Sequence, residues 1–115
     1  MDVKEVYSIL LDQVKKNPYN YIMDKTICFY INSLEGIYAE VLTFLIFHHY
    51  VLDNKPNQKI TELDLVKSAN KKSNMLTIPY GGKTYDTGKA PKFENLNKIP
   101  LILKQIIVAY IKYIS

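Results

Sequence analysis

The stretch from Ile37 to Leu52 is the most apolar part of the chain, and it constrains the fold more than any other segment. A helix that crosses a bilayer needs about 20 apolar residues. This stretch is shorter and includes Glu40 and His48, and a charged side chain in mid-membrane costs roughly 3 kcal/mol. It therefore predicts no membrane span. Because it is apolar on nearly every side, it predicts a central helix over about residues 33–52 inside a folded core.

The residues before this stretch predict two further helices. A capping-box pattern at Asp2 is followed by apolar residues with helical spacing, and Pro18 marks the end of this first helix. The next segment is ambiguous, because the apolar spacing over 19–31 fits a helix whereas 26–31 is also rich in β-formers. We favour a helix, since no turn signal separates it from the central helix, which Asn32 is expected to cap.

The second half of the chain predicts a different mixture of elements. A polar linker leads to a capping pattern that indicates a short helix at about 62–69. Two β-rich runs over about 75–87, with Gly81 and Gly82 between them, predict a small antiparallel hairpin with a tight turn at the glycines. A C-terminal helix over about 100–114 should begin in a proline-led first turn.

These elements together predict an α+β fold that is mainly helical. Four to five helices would surround the central helix at about 33–52, with the hairpin at about 75–87 and the C-terminal helix at about 100–114 beside it. A chain of 115 residues is expected to form a single domain.

The composition indicates an origin more than a function. Isoleucine, lysine, asparagine and tyrosine make up 48 of the 115 residues, and arginine is absent. Their codons are AT-rich, which is typical of an AT-rich genome such as that of a parasite, some bacteria or a large DNA virus. The single cysteine excludes an internal disulfide, and residues 1–5 lack the apolar run of a signal peptide. We expect an intracellular, cytoplasmic protein, in the host cell if the gene is viral.

The charges divide the chain into an acidic half and a basic half. Residues 1–53 hold 4 lysines against 7 acidic residues, about −3, whereas residues 54–115 hold 11 lysines against 4, about +7. Lysines contact phosphates as point charges, and aromatic rings can stack on bases. Candidate nucleic-acid-binding residues are Lys71, Lys72, Lys83, Tyr85, Lys89 and Lys92. Without arginine, such binding should tolerate any sequence. An ordinary solvated basic face fits the same lysines.

Patterns that would indicate catalysis or a bound cofactor are incomplete. Glu40 lies eight residues before His48, roughly on one helical face, but no further ligand or second acid accompanies the pair. Cys28 has apolar neighbours, which favours an inert thiol. Lys83 follows two glycines as in a phosphate-binding loop, yet the required earlier glycine is missing because residue 77 is threonine. The sequence therefore predicts no catalytic residue, no metal and no cofactor, and it favours a non-enzyme over an enzyme.

The large apolar content and the ten tyrosines favour an interaction surface. Tyrosine suits surfaces that are partly apolar and partly wet, and Tyr110 and Tyr113 on the last helix are the candidate interface residues. Our leading hypothesis is a small non-catalytic interaction or structural protein that works through a homo-oligomeric or hetero-oligomeric interface. The alternative is a sequence-tolerant nucleic-acid-binding accessory protein.

Overall fold

The computed structural model describes residues 2–19, 22–54, 76–84 and 88–115 of the chain. The predicted helix at about 62–69 lies outside these ranges. Three of the candidate nucleic-acid-binding residues also lie outside them, namely Lys71, Lys72 and Tyr85.

Four helices and a three-stranded antiparallel sheet make up the described fold, which confirms the predicted α+β, mainly helical class. The helices are α1 (Val3–Lys16), α2 (Asp24–Asn32), α3 (Gly36–Asn54) and α4 (Leu101–Ile114). The strands are β1 (Leu76–Ile78), β2 (Gly82–Thr84) and β3 (Lys92–Phe93). No helix among the described residues is both long enough and apolar enough to cross a membrane.

Helix α1 begins where the capping pattern predicts. The Asp2 carboxylate accepts a hydrogen bond from the backbone N–H of Lys4 at 3.0 Å, which satisfies one of the free amides of the first turn. One side of the helix is buried, and the residues on it are Val6, Tyr7, Leu10 and Val14. These residues pack against α3 and α4.

The ambiguous segment at 26–31 is helical. Ile27 and Ile31, one turn apart, are buried, whereas Phe29 on the opposite side of α2 is 71% exposed. The prediction that Asn32 caps the central helix is wrong, because Asn32 is the last residue of α2. The central helix begins instead at Gly36, whose φ of 61° lies in the left-handed region that glycine adopts most readily.

Helix α3 is the predicted central helix. It packs against α1 and α4, and it also contacts β1. Between residues 39 and 49 nearly every side chain is buried, and those exposed by 1% or less are Ala39, Leu42, Thr43, Leu45, Ile46 and Phe47. This burial on several sides confirms that the apolar stretch forms the centre of the core.

Helix α4 closes the core, and its burial corrects one prediction. Tyr110 is 0% exposed, and its hydroxyl donates to the backbone carbonyl of Tyr38 at 2.7 Å. Burial, followed by the nearby Tyr38, raises the pKa of Tyr110 to about 12. An interface role for Tyr110 is not compatible with this position. Tyr113, which is 48% exposed, keeps the accessibility that an interface requires.

Polar contacts hold the α1–α2 connection against α4. The backbone N–H of Tyr19 donates to Gln105 Oε1 at 2.8 Å, and Gln105 Nε2 donates to the Tyr19 carbonyl at 3.0 Å. Lys104 forms a 3.0 Å ion pair with Asp24 at the start of α2. These contacts fix α2 on α4 and so define where the free side of α2 lies.

The hairpin is present, although its turn is placed one residue earlier than expected. Pro79–Gly81 form a tight three-residue connection in which Tyr80 and Gly81 have left-handed backbone, with φ of 68° and 87°, and Gly82 is the first residue of β2. Gly82 is needed for close approach, because a Cβ there would lie 2.5 Å from Cε1 of Phe93 on the neighbouring strand. The ring of Phe93 therefore covers the glycine.

The sheet has one outer and one inner face. Its order is β1-β2-β3, and Thr77, Lys83 and Lys92 are aligned across it in exposed positions. The next row, which contains Ile78 and Gly82, is buried. This alternation assigns the lysines to the outer face and makes β3 an edge strand of the described sheet.

Candidate functional site

A groove of about 800 Å³ lies on the described part of the chain. One wall comes from α2 and the α2–α3 connection, between Cys28 and Gly36, and the other wall is the segment 88–93. Its volume lies in the range of about 300–1,000 Å³ that is typical of ligand clefts. We call this feature the α2–β3 groove.

Backbone contacts join the two walls of the groove. The N–H of Gly36 donates to the carbonyl of Gly88 at 2.6 Å, and Glu35 and Lys89 form an isolated antiparallel bridge. The left-handed backbone at Gly36 directs its N–H toward the second wall. The groove is thus built from the same turn that starts the central helix.

The surface inside the groove is mostly apolar. Ile31 and Leu34 are buried, Pro91 is buried, and Phe93 and Cys28 are half-buried. Burial, and secondarily Asp24, raises the pKa of the Cys28 thiol. The thiol therefore stays protonated at neutral pH. The sequence predicts an inert core cysteine, but Cys28 is half-buried and lines the groove.

Two exposed apolar side chains, Phe29 and Ile37, are sequence neighbours of the groove lining, although neither belongs to it. Phe29, 71% exposed, is adjacent in sequence to Cys28 and three residues before Asn32, another lining residue. Ile37, 53% exposed, directly follows Gly36. Residues three apart on a helix lie on one side, so Phe29 is placed next to the groove wall. The sequence indicates that Phe29 is exposed, because it lies on the side of α2 opposite the apolar positions Ile27 and Ile31.

The described lysines of the predicted nucleic-acid site lie on or near the other wall. Lys83 and Lys92 are directly opposite each other on neighbouring strands, and Lys89 follows the Gly88 contact. All three are exposed. Like charges directly opposite on two strands repel each other. The structure thus places three predicted cations on or near one wall, and the ring of Phe93, which packs on Gly82, is half-buried beside them.

A second group of polar aromatic residues lies at the other end of α3. The Tyr7 hydroxyl and His49 Nδ1 are 2.8 Å apart in the core, and the Tyr7 ring meets His48 edge-on with centroids 4.7 Å apart. Burial lowers the pKa of His49, Asp53 opposes this shift, and His48 adds to it. His49 is therefore a neutral core residue whose Nδ1 is hydrogen-bonded to the Tyr7 hydroxyl.

Tyr80 adjoins this group from the hairpin turn. Its ring is 6.3 Å from His49 and 5.8 Å from Tyr50, centroid to centroid. Its hydroxyl is buried and has no hydrogen-bond partner in the described part of the chain. Burial, and then Asp53, Tyr50 and Tyr7, raises its pKa to about 12.

The Glu40–His48 pair does not form a site among the described residues. Both side chains are half-buried, and no hydrogen bond between them is present there. Eight residues of helix separate them by about 12 Å along the axis. No group of three or more His, Cys, Asp or Glu residues that could hold a metal ion occurs within the described ranges.

Comparison with protein-family models, with curated proteins and with solved structures finds no match to this chain.

Proposed function

We propose that this chain is a non-catalytic interaction protein that associates with a second copy of itself or with another protein. The contact would be made through the α2–β3 groove and the exposed side chains of Phe29 and Ile37. The observation that carries the proposal is the exposure of Phe29, 71%, beside a groove that is mostly apolar inside. Aromatic side chains that fill or border a pocket are typical anchors of protein interfaces.

The exposure of Phe29 leaves a substantial free energy of burial available to a partner. A phenylalanine side chain buries about 150–250 Å² when it is fully covered. At about 25 cal/mol per Å², covering most of it contributes roughly 2–3 kcal/mol. Ile37 is exposed as well, so a partner could cover both residues together with the groove.

Phe29→Ser is expected to weaken association strongly. Sedimentation velocity over a concentration series measures the dissociation constant of self-association, which should rise about five-fold or more because an anchor typically contributes over 1 kcal/mol. Leu101→Ser is the matched control, because Leu101 is 70% exposed at the start of α4, a helix that contributes no residue to the groove lining, whereas α2, which carries Phe29, contributes several. This control should leave the constant unchanged.

A hetero-oligomeric interface is tested with a photo-crosslinking residue in place of Phe29 or, as the control, of Leu101. In extracts of the source cells, only the first position should give a discrete crosslinked protein. A chain that stays monomeric at all concentrations and yields no crosslink specific to position 29 would contradict the proposed function.

The second candidate function is sequence-tolerant binding of nucleic acid, and the aligned Lys83–Lys92 pair favours it. Two cations held opposite each other are relieved of repulsion when an anion lies between them. The exposed Lys89 extends the positive charge along the adjoining segment. A phosphate backbone is an anion of suitable spacing and charge.

Replacing Lys83, Lys89 and Lys92 together by glutamine should reduce retardation of DNA or RNA of any sequence. Each lost phosphate contact lowers the slope of log K against log salt by about 0.7–0.9. Lys4, Lys15 and Lys16 replaced by glutamine provide a control with the same charge change on α1. If the wild-type chain shows no salt-sensitive retardation, this second candidate is excluded.

A further inference from the structure

Strand β3 is both an edge strand of the described sheet and part of the groove lining. Strand β3 is the last strand in the order β1-β2-β3, and both of its residues, Lys92 and Phe93, line the groove. An edge strand presents backbone N–H and C=O groups that an added strand can pair with. A groove beside such an edge suits an extended peptide, which gains main-chain hydrogen bonds along one side.

The inner surface of the groove is divided between an apolar floor and a basic rim. Ile31, Leu34 and Phe93 supply apolar contacts, and Lys89 and Lys92 are exposed at the rim. Neither lysine forms a salt bridge with another described residue. An extended segment places alternate side chains on opposite sides, so one set could meet the floor while the other meets the rim.

The charge of the groove favours an acidic occupant. Among its described lining residues, two lysines and Glu35 are the charged ones, which gives +2 − 1, or about +1. Lys83, directly opposite Lys92, adds a further positive charge on the outer face of the sheet. The partner carboxylates would relieve the Lys83–Lys92 repulsion, whereas the apolar floor offers little to a phosphate backbone.

We infer that the α2–β3 groove binds an extended acidic segment of a partner protein, which adds to β3 as a strand and places its carboxylates against Lys89 and Lys92. This inference rests on the proposed interaction function, and it specifies the partner chemistry for the same groove. The segment would alternate acidic and apolar side chains.

The single cysteine of the chain provides the readout for a test. Cys28 lines the groove, so an occupant should protect it from a maleimide reagent. The peptide for the test is a capped hexamer of alternating glutamate and valine. We expect it to slow modification of Cys28 in the full chain in a saturable manner, whereas a lysine–valine hexamer of the same length should have no effect.

Charge variants measure the contribution of the rim. Lys89→Gln with Lys92→Gln should weaken binding of the acidic peptide about three- to thirty-fold, as expected for two exposed ion pairs. Lys4→Gln with Lys15→Gln on α1 changes the net charge equally and should leave binding unchanged. All four positions are exposed, so circular dichroism should show the same fold in every variant.

Backbone methylation tests the strand addition separately. Successive N–H groups of an extended peptide point to opposite edges, so methylating alternate nitrogens blocks only one edge. Of two hexamers methylated in opposite registers, one should lose protection of Cys28 and the other should keep it. Equal protection by both would overturn the strand-addition inference.

The outcomes separate this inference from the proposed function. If the acidic peptide fails to protect Cys28 while association still depends on Phe29, the partner class is wrong and the interaction function stands. If neither effect is observed, both are wrong. Protection of Cys28 by a single-stranded oligonucleotide and not by the acidic peptide would overturn the inference in favour of nucleic acid.

Discussion

Replacement of Leu42 by alanine is expected to lower the free energy of unfolding by about 2–5 kcal/mol, the range for removing a buried leucine side chain from a core. Leu42 is 0% exposed on α3, where α1 and α4 pack around the helix. The loss has two parts, the transfer free energy of the deleted methyl groups and the cavity that the rigid neighbours leave behind. The measurement is urea denaturation followed by circular dichroism.

Leu52→Ala is the matched control for this prediction. It makes the same chemical change on the same helix, but Leu52 is 48% exposed, so we expect a loss of less than about 1 kcal/mol. Both residues are replaced by the best helix former, and differences in helix propensity therefore stay small. Equal losses for the two variants would contradict the packing of α3 described above.

The success of the sequence in predicting α3 has a simple physical reason. A helix that is apolar all round is stable in water only when other elements cover it. The pattern alone therefore predicts both the helix and its central position. The same holds for α1, whose capping residue and apolar stripe are local features of the sequence. Local signals of this kind do not depend on distant residues.

The corrections arise where distant residues decide the outcome. Asn32 has the side chain of a cap, but the helix it was expected to start begins at Gly36, where the backbone also contacts Gly88. Gly82 was assigned to the turn, and its place in β2 is understandable only once Phe93 is known to lie across it. Tyr110 resembles a surface tyrosine until its hydroxyl is found on the Tyr38 carbonyl.

The groove could not have been predicted from the sequence for the same reason. Its walls are more than 50 residues apart in the chain, and the contact between Gly36 and Gly88 joins them. The exposed lysines were identified from composition, but the opposition of Lys83 and Lys92 follows from the strand register. A shift of one residue in that register would move these side chains to the other face of the sheet.

Acidification below pH 6.5 is expected to destabilise the fold through His49. Burial lowers the pKa of this histidine from its ordinary value of 6.5, although Asp53 partly offsets the effect. Between 6.5 and the lower folded value, the unfolded chain binds a proton that the folded chain does not. The stability contributed by neutral His49 is therefore complete above pH 6.5 and decreases as the pH falls through the folded pKa, by at most about 1.4 kcal/mol per pH unit.

The groups that face His49 explain why protonation is unfavourable there. The Tyr7 hydroxyl on α1 lies 2.8 Å from His49 Nδ1. When the neutral ring carries its proton on Nε2, Nδ1 is the acceptor and the Tyr7 hydroxyl donates to it. A protonated ring donates from both nitrogens, so the Tyr7 hydroxyl must reverse its role. His48 adds repulsion, Tyr80 covers the ring from the hairpin turn, and Asp53 alone favours the charge.

His49→Gln isolates this contribution, because glutamine does not titrate while its side chain can still form a hydrogen bond with Tyr7. We expect its free energy of unfolding, measured by urea denaturation at successive pH values, to change less between pH 6.5 and 5 than that of the wild type. His48→Gln is the comparison variant: it removes the smallest of the effects on the His49 pKa but keeps the Tyr7–His49 hydrogen bond and the burial of His49, so most of the acid sensitivity should remain. Carboxylates that protonate at lower pH affect all three proteins alike, so their contribution cancels in the comparison. If His49→Gln retains the full acid sensitivity and His48→Gln loses it, His48 and not His49 is the histidine whose protonation destabilises the fold.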